Sequence, residues 1–249
     1  MKNPKISIIT VVKNNKSFIE KNILSLLSQK YKNYEHIIID GESTDGTLEI
    51  VDKYKKSISS FISEKDMGIY HAMNKGIDLA SGDIIGILNS DDYFYDDALE
   101  VVKSYFERKS EIDFLFGSVH KFSLRHGFFP KKICWTFNFY TTHSVGFFIK
   151  KISQKKLGYY NTKYKYSSDY DLFYRMIVKN KMVGTATKKN EVLGFFNPHG
   201  FSSTIRYIDY LKENTQIRLD NGQNKIIVWA IHFLRLSKRI FRVIKELKK

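Results

Sequence analysis

The sequence predicts an α/β fold, a mostly parallel β-sheet with helices on both faces. Short apolar, β-branched segments alternate with helical patterns over roughly the first hundred residues. Parallel strands joined by helices need crossover connections, and these cover both faces of the sheet. Polar clusters directly follow three of the apolar segments, at the strand ends where open α/β sheets bind their ligands.

The first half of the chain gives the clearest elements. β-Branched and apolar side chains predict a buried strand at residues 5–12, and a helix with apolar residues at helical spacing starts at Ser17. Further strands are predicted at residues 34–39, 58–63 and 84–88, and further helices after Thr47, at 69–80 and at 98–106. Beyond residue 107 the alternation weakens, and strand-like segments are predicted within 112–150 and 183–196, with a helix at 167–179.

The composition narrows the class of protein. A chain of 249 residues with 43% hydrophobic residues can bury a sizeable core, and a single cysteine excludes an internal disulfide or a cysteine-based zinc site. The sequence shows no signal-peptide pattern and no apolar run that could span a bilayer, so we expect a cytoplasmic protein. The net charge of +15 favours an anionic partner, and its concentration near the C-terminus indicates docking rather than nucleic-acid binding.

Three polar clusters mark the predicted ligand-binding edge of the sheet. Thr10 to Asn14, Asp40 to Ser43 and Asn89 to Asp92 each follow a predicted strand. Because the carboxyl ends of parallel strands meet at one edge, we expect the three clusters to converge on one ligand site.

The acidic turn Asn89-Ser90-Asp91-Asp92 is the main candidate for a metal site. Two adjacent carboxylates repel each other unless a cation or hydrogen-bond donors offset the charge, and Mg²⁺ or Mn²⁺ bridging a diphosphate would do so. The alternative is a solvated turn in which one aspartate caps the following helix. The convergence of three strand ends favours the metal site.

Other residues have both a functional and a structural interpretation. Asp40 can accept hydrogen bonds from a base or a ribose hydroxyl, and Lys75 can meet a phosphate, although a solvated lysine is the commoner case. Asn74 suits a hydrogen bond at a turn. Asp169 is a candidate general base, but its place at the start of a predicted helix also suits a capping role.

Taken in order, the motifs of the first hundred residues resemble family 2 inverting glycosyltransferases with the GT-A fold. The matching segments are Ile6–Asn14, Ser25–Gln29, Ile39–Gly41 with Ser43–Thr47, Ser63–Glu64 with Asp66–Gly76, and Ser81–Asp92. Weaker matches follow at His143, Gly158, Asp169–Asp171 and Asn197–Ser202. The run Asp66–Tyr70 resembles the branch that builds bacterial surface polysaccharides, of the colanic-acid type.

The resemblance implies a GT-A (Rossmann-like) fold and roles for individual residues. By position, Thr10 and Val12 would line the nucleotide pocket, and Asp40 would lie near the base. Asp91 would face the ribose, Asp92 would bind the metal, and Asp169 would be the catalytic base. The remaining motif residues are expected on the donor side, at Asn14, Ser43, Asp66, Asn74 and Lys75, and on the acceptor side, at His143, His199 and Gly200.

The chain departs from the family pattern at several of these positions. Asn89 stands where many members have the first aspartate, and Gly41 stands where many have a second carboxylate. On the acceptor side, Ser144 follows His143 where relatives often have glutamine, and His199 precedes Gly200 where they often have a second glycine.

The resemblance also implies a reaction and a domain plan. We expect inverting transfer of a sugar from a UDP- or GDP-linked donor, with Mn²⁺ or Mg²⁺ as cofactor, to a saccharide or lipid-linked acceptor. The setting would be bacterial polysaccharide, lipopolysaccharide or capsule biosynthesis. Residues 1–222 would form the glycosyltransferase domain, with a nucleotide-sugar-binding half at 1–107 and an acceptor-side half at 108–222, and residues 223–249 a C-terminal helix.

The C-terminal segment 224–249 predicts a basic amphipathic helix. Its apolar side carries Phe233, Ile240, Ile244 and Leu247, and its basic side Arg235, Lys238, Arg242, Lys245 and Lys249. Such a helix suits an anionic membrane surface, so we expect peripheral attachment to the inner face of a bacterial membrane. The alternative is a helix docked on the catalytic domain with a solvated basic face.

Three other classes of protein are alternatives to a glycosyltransferase. A non-catalytic nucleotide-sugar-binding or scaffold protein would keep the polar edge without needing Asp169. A nucleic-acid-binding protein is disfavoured, because the acidic strand-end clusters would repel phosphate in the absence of a metal. A nucleotide-dependent dehydrogenase is disfavoured because no G-x-G-x-x-G motif follows the first strand.

Overall fold

The structure, a computed structural model, describes residues 1–135, 142–200 and 203–247. The strands are β1 (Ile6–Val12), β2 (Tyr34–Asp40), β3 (Ser60–Ser63), β4 (Ile84–Ile87), β5 (Tyr93–Phe94), β6 (Phe114–Phe116), β7 (Ser118–His120), β8 (Leu124–Arg125), β9 (Phe147–Lys150), β10 (Gly184–Ala186) and β11 (Val192–Phe195). The helices are α1 (Lys16–Leu27), α2 (Thr47–Lys53), α3 (Ile69–Leu79), α4 (Ala98–Arg108), α5 (Lys151–Leu157), α6 (Ser168–Tyr174), α7 (Tyr207–Asp220), α8 (Lys225–Lys238) and α9 (Ile240–Leu247).

Within the described ranges the strands form two sheets. The larger has seven strands in the order β10-β6-β9-β4-β1-β2-β3, and the smaller has four in the order β5-β11-β7-β8. Strands β4, β1, β2 and β3 run parallel, so their carboxyl ends meet at one edge. Strand β9 is antiparallel to both β4 and β6, which makes the large sheet mixed.

The alternation of side chains along β1 explains why helices cover both faces of the large sheet. Ile9 packs with Met73 of α3 in one buried cluster, whereas Ile8 packs with Leu99 and Val102 of α4 in another. A strand buried on both faces reads as a continuous apolar run, as β1 does. The predicted α/β fold is therefore confirmed.

Three features of the second half differ from the sequence-based expectation. Strand β9 enters the sheet between β4 and β6, although it lies about sixty residues after β4 in the chain. Helix α6 continues into a π-helical turn at Arg175–Lys179, where Arg175 binds Asp171 and the carbonyl groups of Leu157 and Tyr159. Helices α5 and α7 were not predicted at all.

The C-terminal segment is two helices rather than the single helix expected. The chain leaves the helical conformation at Arg239, between α8 and α9. Both helices fold back on α7: His232 Nδ1 lies 2.8 Å from the Thr215 hydroxyl, and the Tyr207 N–H donates to Glu246 over 2.8 Å. The predicted basic residue Lys249 lies outside the described residues. Within those residues, no helix is long and apolar enough to cross a membrane.

Candidate active site

A cavity of about 1030 Å³ opens at the carboxyl ends of β1 and β4. Its wall comprises the segment after β1, the turn before α3, the Asn89–Asp91 turn, the β7–β8 hairpin, the loop leading into α6 and the loop after β11. Strands β1 and β4 end there side by side, where open α/β sheets bind ligands. The volume lies at the upper end of the range of small-molecule sites.

Hydrogen bonds join the polar clusters at the strand ends. Asn15 Nδ2 donates to the Ser90 hydroxyl over 2.7 Å. The Asn14 N–H donates to the Ser43 hydroxyl over 2.8 Å, and the Thr44 N–H donates to Asn14 Oδ1 over 2.8 Å. The three clusters therefore form one continuous edge.

Thr10, Asp40 and Ser43 lie beneath this edge, although the sequence placed all three on the donor side. Thr10 is fully buried, and its hydroxyl contacts polar side chains of α1 and β2 at 3.2 and 2.9 Å. Asp40 is also fully buried and accepts hydrogen bonds from the Ser43 N–H, the Ser43 hydroxyl and the Ser63 hydroxyl. These contacts hold the edge from below.

Val12, Asn14 and Asp66 line the cavity itself. Asp66 Oδ1 accepts the Gly68 N–H over 2.8 Å at the start of α3. A Cβ atom on Gly41 would lie 2.6 Å from Asp66 Oδ2, closer than side chains tolerate. The departure of Gly41 from the family pattern therefore leaves space for the Asp66 carboxylate at this end of the cavity.

Asn74 and Lys75 of α3 are both engaged by other protein groups. Asn74 Nδ2 donates to the Tyr160 carbonyl over 2.9 Å, and Asn74 Oδ1 accepts the Tyr160 N–H over 3.0 Å. Lys75 Nζ lies 2.7 Å from Glu64 Oε1. Asn74 thus joins α3 to the loop after α5, and a carboxylate already pairs with the Lys75 ammonium.

Asp91 and Asp92 occupy different environments. Asp91 lines the cavity, and burial raises the pKa of its carboxyl. Asp92 is 1% exposed, and burial together with the charge of Asp91 raises its pKa to about 8. Asp92 Oδ1 accepts the Asn197 N–H over 2.7 Å, and a Cβ atom on Gly200 would collide with Asp91 Oδ2. The loop after β11 therefore closes tightly over both carboxylates.

Two buried oxygens of this turn are available to a cation. Asn89 Oδ1 and Asp92 Oδ2 make no hydrogen bond of normal geometry within the described ranges, although the nearby Ser144 hydroxyl helps to lower the pKa of Asp92. Amide and carboxylate oxygens are the ligands that hard divalent cations take. In the described part of the chain, no three histidine, cysteine or acidic side chains are grouped to hold a metal. The turn therefore fits a cation that draws further ligands from a bound diphosphate.

Asp169 lines the cavity from the first turn of α6. Its Oδ1 accepts the Tyr170 N–H over 2.9 Å and lies 3.3 Å from the Tyr70 hydroxyl of α3. The carboxylate of Glu213 on α7 accepts the backbone N–H groups of residues 165–167, just before α6, over 2.6–2.9 Å. Three helices therefore fix the position of the Asp169 carboxylate.

The residues predicted on the acceptor side also line the cavity. His143 is buried, its Nε2 lies 2.6 Å from the Tyr160 hydroxyl, and burial lowers its pKa despite the opposing charge of Asp169. The His199 N–H donates to Asn197 Oδ1 over 3.0 Å. The end of the matched Asn197–Ser202 motif, residues 201–202, lies outside the described residues.

The residues at or beside the site that were not predicted include Tyr70, Lys121, Arg125 and Glu213. Tyr70 stood in a matched motif, so a signal was present. Lys121 and Arg125 lie at the ends of two short strands with no clear pattern, and Glu213 lies on a helix without a distinct apolar stripe. Local sequence gave no reason to place these three beside the strand ends.

Comparison with known sequences identifies relatives of the chain. The family described as Glycosyl transferase family 2 matches residues 7–166. A PGL/p-HBAD biosynthesis glycosyltransferase of Mycobacterium bovis is 27% identical over 223 residues, which cover 84% of this chain and 83% of that protein.

Two solved structures share the fold at low sequence identity. S. aureus TarS 1–349 in complex with UDP-GlcNAc matches with a TM-score of 0.70 and 17% identity, covering 94% of this chain and 72% of that chain. The mannosyltransferase PcManGT from Pyrobaculum calidifontis, in complex with GDP-Man and Mn²⁺, gives 0.69 and 18%, covering 96% and 72%. At these identities the likeness establishes the GT-A-like fold alone.

Proposed function

This chain belongs to glycosyl transferase family 2 and is a glycosyltransferase, and we propose that it transfers a sugar from a nucleoside diphosphate sugar to an acceptor hydroxyl with inversion. One observation carries the proposal: a single cavity is bordered by the Asn89–Asp91 part of the acidic turn, with Asp92 buried behind it, and by Asp169. The first can hold the leaving diphosphate and the second can take the proton of the attacking hydroxyl. A direct displacement needs a site for the leaving diphosphate and a base for the hydroxyl proton, and the proposal assigns both to this one cavity.

The nucleoside would lie at the end of the cavity lined by Val12, Asn14 and Asp66. These residues follow β1 and precede α3, at the carboxyl edge of the parallel strands. Support for a UDP- or GDP-linked donor comes from the two structural neighbours, which were solved with UDP-GlcNAc and with GDP-Man.

The Asn89–Asp92 turn would hold Mg²⁺ or Mn²⁺ through Asn89 Oδ1 and Asp92 Oδ2, with Asp91 directed to the ribose. PcManGT was solved in complex with GDP-Man and Mn²⁺, which supports this cofactor. When bound, the ion would offset the charge that develops on the departing diphosphate. Asp92, whose pKa is raised to about 8, would lose its proton on binding the ion.

Asp169 would act as the general base. The acceptor oxygen bonds to the anomeric carbon while the bond from that carbon to the diphosphate oxygen breaks, and the hydroxyl proton passes to Asp169. The Tyr70 hydroxyl and the Tyr170 N–H hold the carboxylate in one orientation. Such oriented proton removal is worth about 10²–10⁴-fold in rate.

The acceptor would enter beside His143, His199 and Gly200, and we propose that it is a saccharide, carried on a lipid, in bacterial surface-polysaccharide synthesis. The polysaccharide under synthesis would be a lipopolysaccharide or a capsule. The support is the colanic-acid-type pattern of Asp66–Tyr70 and a mycobacterial relative named for PGL/p-HBAD biosynthesis. The proposed domain plan keeps residues 1–222 as the transferase domain, with its donor half at 1–107.

We further propose that residues 223–249 attach the enzyme to the anionic inner face of a membrane. Helix α8 buries Val228 and His232 against α7 but exposes a broad apolar face that includes Phe233. Helix α9 adds Phe241, which is 86% exposed. Lysines and arginines alternate with these apolar residues along the sequence of α8 and α9, and this composition favours binding to acidic lipid surfaces.

The catalytic proposal is tested by substituting Asp169→Asn in the purified protein. We expect release of UDP or GDP from its sugar nucleotide, measured with Mn²⁺, to fall about 10²–10⁴-fold while donor affinity is unchanged. The change keeps the size of the side chain but removes the base. Asp52→Asn, at an exposed position of α2, is the control and should retain full activity.

Loss of donor binding together with turnover in Asp169→Asn would contradict the role of Asp169 as base. The alternative function, a non-catalytic sugar-nucleotide-binding protein, predicts tight donor binding by the unaltered chain with no nucleotide release. The same assay therefore separates the two functions.

A further inference from the structure

Two cations face the cavity without a protein partner in the described part of the chain. Lys121 follows β7 and Arg125 ends β8, and both line the cavity. The Lys121 ammonium lies 4.3 Å from the centre of the Phe196 ring, but neither it nor the Arg125 guanidinium makes a hydrogen bond or ion pair with any described residue. Lys121 is half-buried and Arg125 is exposed, so an anion bound at this wall would pair with both charges.

The hairpin that carries these cations is held firmly. The Phe196 N–H donates to the His120 carbonyl over 2.8 Å, and the His120 ring contacts the Tyr95 hydroxyl over 2.8 Å. On the other strand, His126 Nδ1 lies 3.0 Å from the Ser118 hydroxyl. These hydrogen bonds fix the backbone of the hairpin that carries the two cations.

The hairpin belongs to the four-stranded sheet, whereas the proposed nucleoside end lies at the edge of the seven-stranded sheet. Strand β7 pairs with β11, whose following loop closes over Asp91 and Asp92, whereas the nucleoside end belongs to β1 and the turn before α3. The divalent cation proposed at the Asn89–Asp92 turn would offset the charge of the diphosphate ester. With the diphosphate held by that cation, Lys121 and Arg125 are placed to attract a different anionic group.

The charge around Lys121 fits this assignment. Burial lowers the pKa of its ammonium, the charge of Arg125 lowers it further, and only Asp92 opposes them. Asp92 would be engaged by the cation when the donor is bound. An anion at the hairpin would then relieve the repulsion between the two basic side chains.

We propose that Lys121 and Arg125, flanked by His126, form a subsite for an oxyanion carried by the acceptor, so that the acceptor class is a phosphorylated or uronic-acid saccharide. This inference rests on the proposed function, because it assumes that the donor fills the other end of the cavity. Arginine offers two parallel donors to a phosphate or carboxylate, and lysine adds a point charge. The subsite would select an anionic over a neutral acceptor.

The test measures binding of three small sugars to the full chain saturated with UDP and Mg²⁺. Glucose 6-phosphate and glucuronate present the two candidate oxyanions, and glucose is the neutral reference. We expect both charged sugars to bind more tightly than glucose, or one of them, which then names the anion. The double variant Lys121→Gln/Arg125→Gln should weaken that binding at least about tenfold, with UDP affinity unchanged.

The matched control is Lys155→Gln/Lys156→Gln, which removes the same charge from exposed positions of α5 outside the cavity. It should leave the binding of all three sugars unchanged. Charged sugars that bind no better than glucose, or a cavity variant that loses UDP affinity instead, would overturn the subsite alone. Absence of UDP binding to the unaltered chain would overturn the proposed function as well, and the same titration shows it.

Discussion

At the scale of single residues, Asp91 and Asp92 show how neighbours in sequence acquire different roles. Asp91 faces the cavity, whereas Asp92 is buried behind it with one oxygen bound by the Asn197 N–H and the other without a normal hydrogen bond in the described ranges. A buried carboxylate beside a second carboxylate is unfavourable unless a cation is present. The turn is therefore a place where function conflicts with stability.

Asp92→Asn should lower function and raise stability together. The amide keeps the acceptor for Asn197 but removes the charge, so we expect weaker Mn²⁺-dependent UDP binding. Without metal at neutral pH, we expect unfolding to require on the order of 1–3 kcal/mol more than in the unaltered chain. Calorimetric titration and urea unfolding in EDTA measure the two effects.

Asp97→Asn is the control, because Asp97 is exposed and pairs with the exposed Lys30. It should change neither Mn²⁺ dependence nor unfolding. An Asp92→Asn variant that retains the full Mn²⁺ dependence of UDP binding would remove Asp92 from the metal site.

At the scale of elements, helix α7 positions the loop that carries the proposed base. The Glu213 carboxylate accepts three successive N–H groups of the loop before α6, and Arg175 anchors the π-helical turn after it. Neither residue has to contact the substrate in order to affect the rate of catalysis. Catalytic geometry degrades when a base moves by about 1 Å, so Glu213 is a positioning residue.

Glu213→Ala should reduce kcat about 10- to 100-fold while leaving the donor Kd unchanged, because three backbone donors lose their acceptor next to Asp169. Glu213→Gln retains one acceptor oxygen and should recover part of kcat. Gln216→Ala, on the same helix, is the control. If Glu213→Ala lowers only the melting temperature and leaves kcat intact below it, its role is structural.

Glu35 of β2 is joined by hydrogen bonds to three residues, which lie on or just before β1 and just before β4. Its Oε1 accepts the Ser7 hydroxyl of β1 over 2.5 Å and the Ser81 N–H before β4 over 2.6 Å, and its Oε2 lies 2.7 Å from Lys5 Nζ. Burial by itself would raise the pKa of Glu35. The hydrogen bonds from Lys5, Ser7 and Ser81 outweigh burial and lower it to about 2.

A lowered pKa in the folded state means that Glu35 stabilises the fold above its ordinary pKa of 4.5, and that this stability is lost as the pH falls from 4.5 towards about 2. Allowing for solvent screening, the contribution at neutral pH is about 2 kcal/mol. Glu35→Gln should therefore lower the free energy of unfolding at neutral pH by about that amount and flatten its acid dependence. Urea unfolding across this pH range measures both.

Glu49→Gln, at an exposed position of α2, is the matched control and should keep the acid dependence of the unaltered chain. If the Glu35→Gln variant loses stability with acid as steeply as the unaltered chain, another group governs that dependence.

At the scale of the whole molecule, the proposed membrane attachment would combine the net charge of +15 with the exposed apolar residues of the C-terminal helices. Unlike an ordinary surface helix, α8 exposes large apolar residues on the side away from α7. Removing everything after Gly222 would also uncover the residues of α7 that α8 protects. Substitutions at exposed positions are therefore the cleaner test of membrane attachment.

Phe233→Ser/Phe241→Ser should weaken binding of the full chain to phosphatidylglycerol-containing vesicles at least roughly tenfold, because these side chains are 61% and 86% exposed. Ile152→Ser, which removes an exposed apolar side chain from α5, is the control for apolar surface elsewhere. Vesicle flotation measures binding. Equal flotation of the double variant and the unaltered chain would indicate that α8 and α9 serve another contact.

The sequence by itself determined the parallel half of the sheet and the residues that follow its strands. A strand buried on both faces must be a continuous apolar run, and its polar successors must lie at the shared edge, so β1, β2, β4 and the Asn89–Asp92 turn were predictable. These are local properties, which a single sequence records directly. The family motifs fall in this same half of the chain.

Only the tertiary structure decided which distant residues complete the site. The Tyr70 hydroxyl meets Asp169 across 99 residues of sequence, β9 inserts between β4 and β6, and α7 brings Glu213 to the loop before Asp169. Such contacts depend on which surfaces are complementary after the chain has folded, and chain order does not specify them. Tertiary packing also decided that Thr10 and Asp40 are buried and that Lys121 lines the cavity.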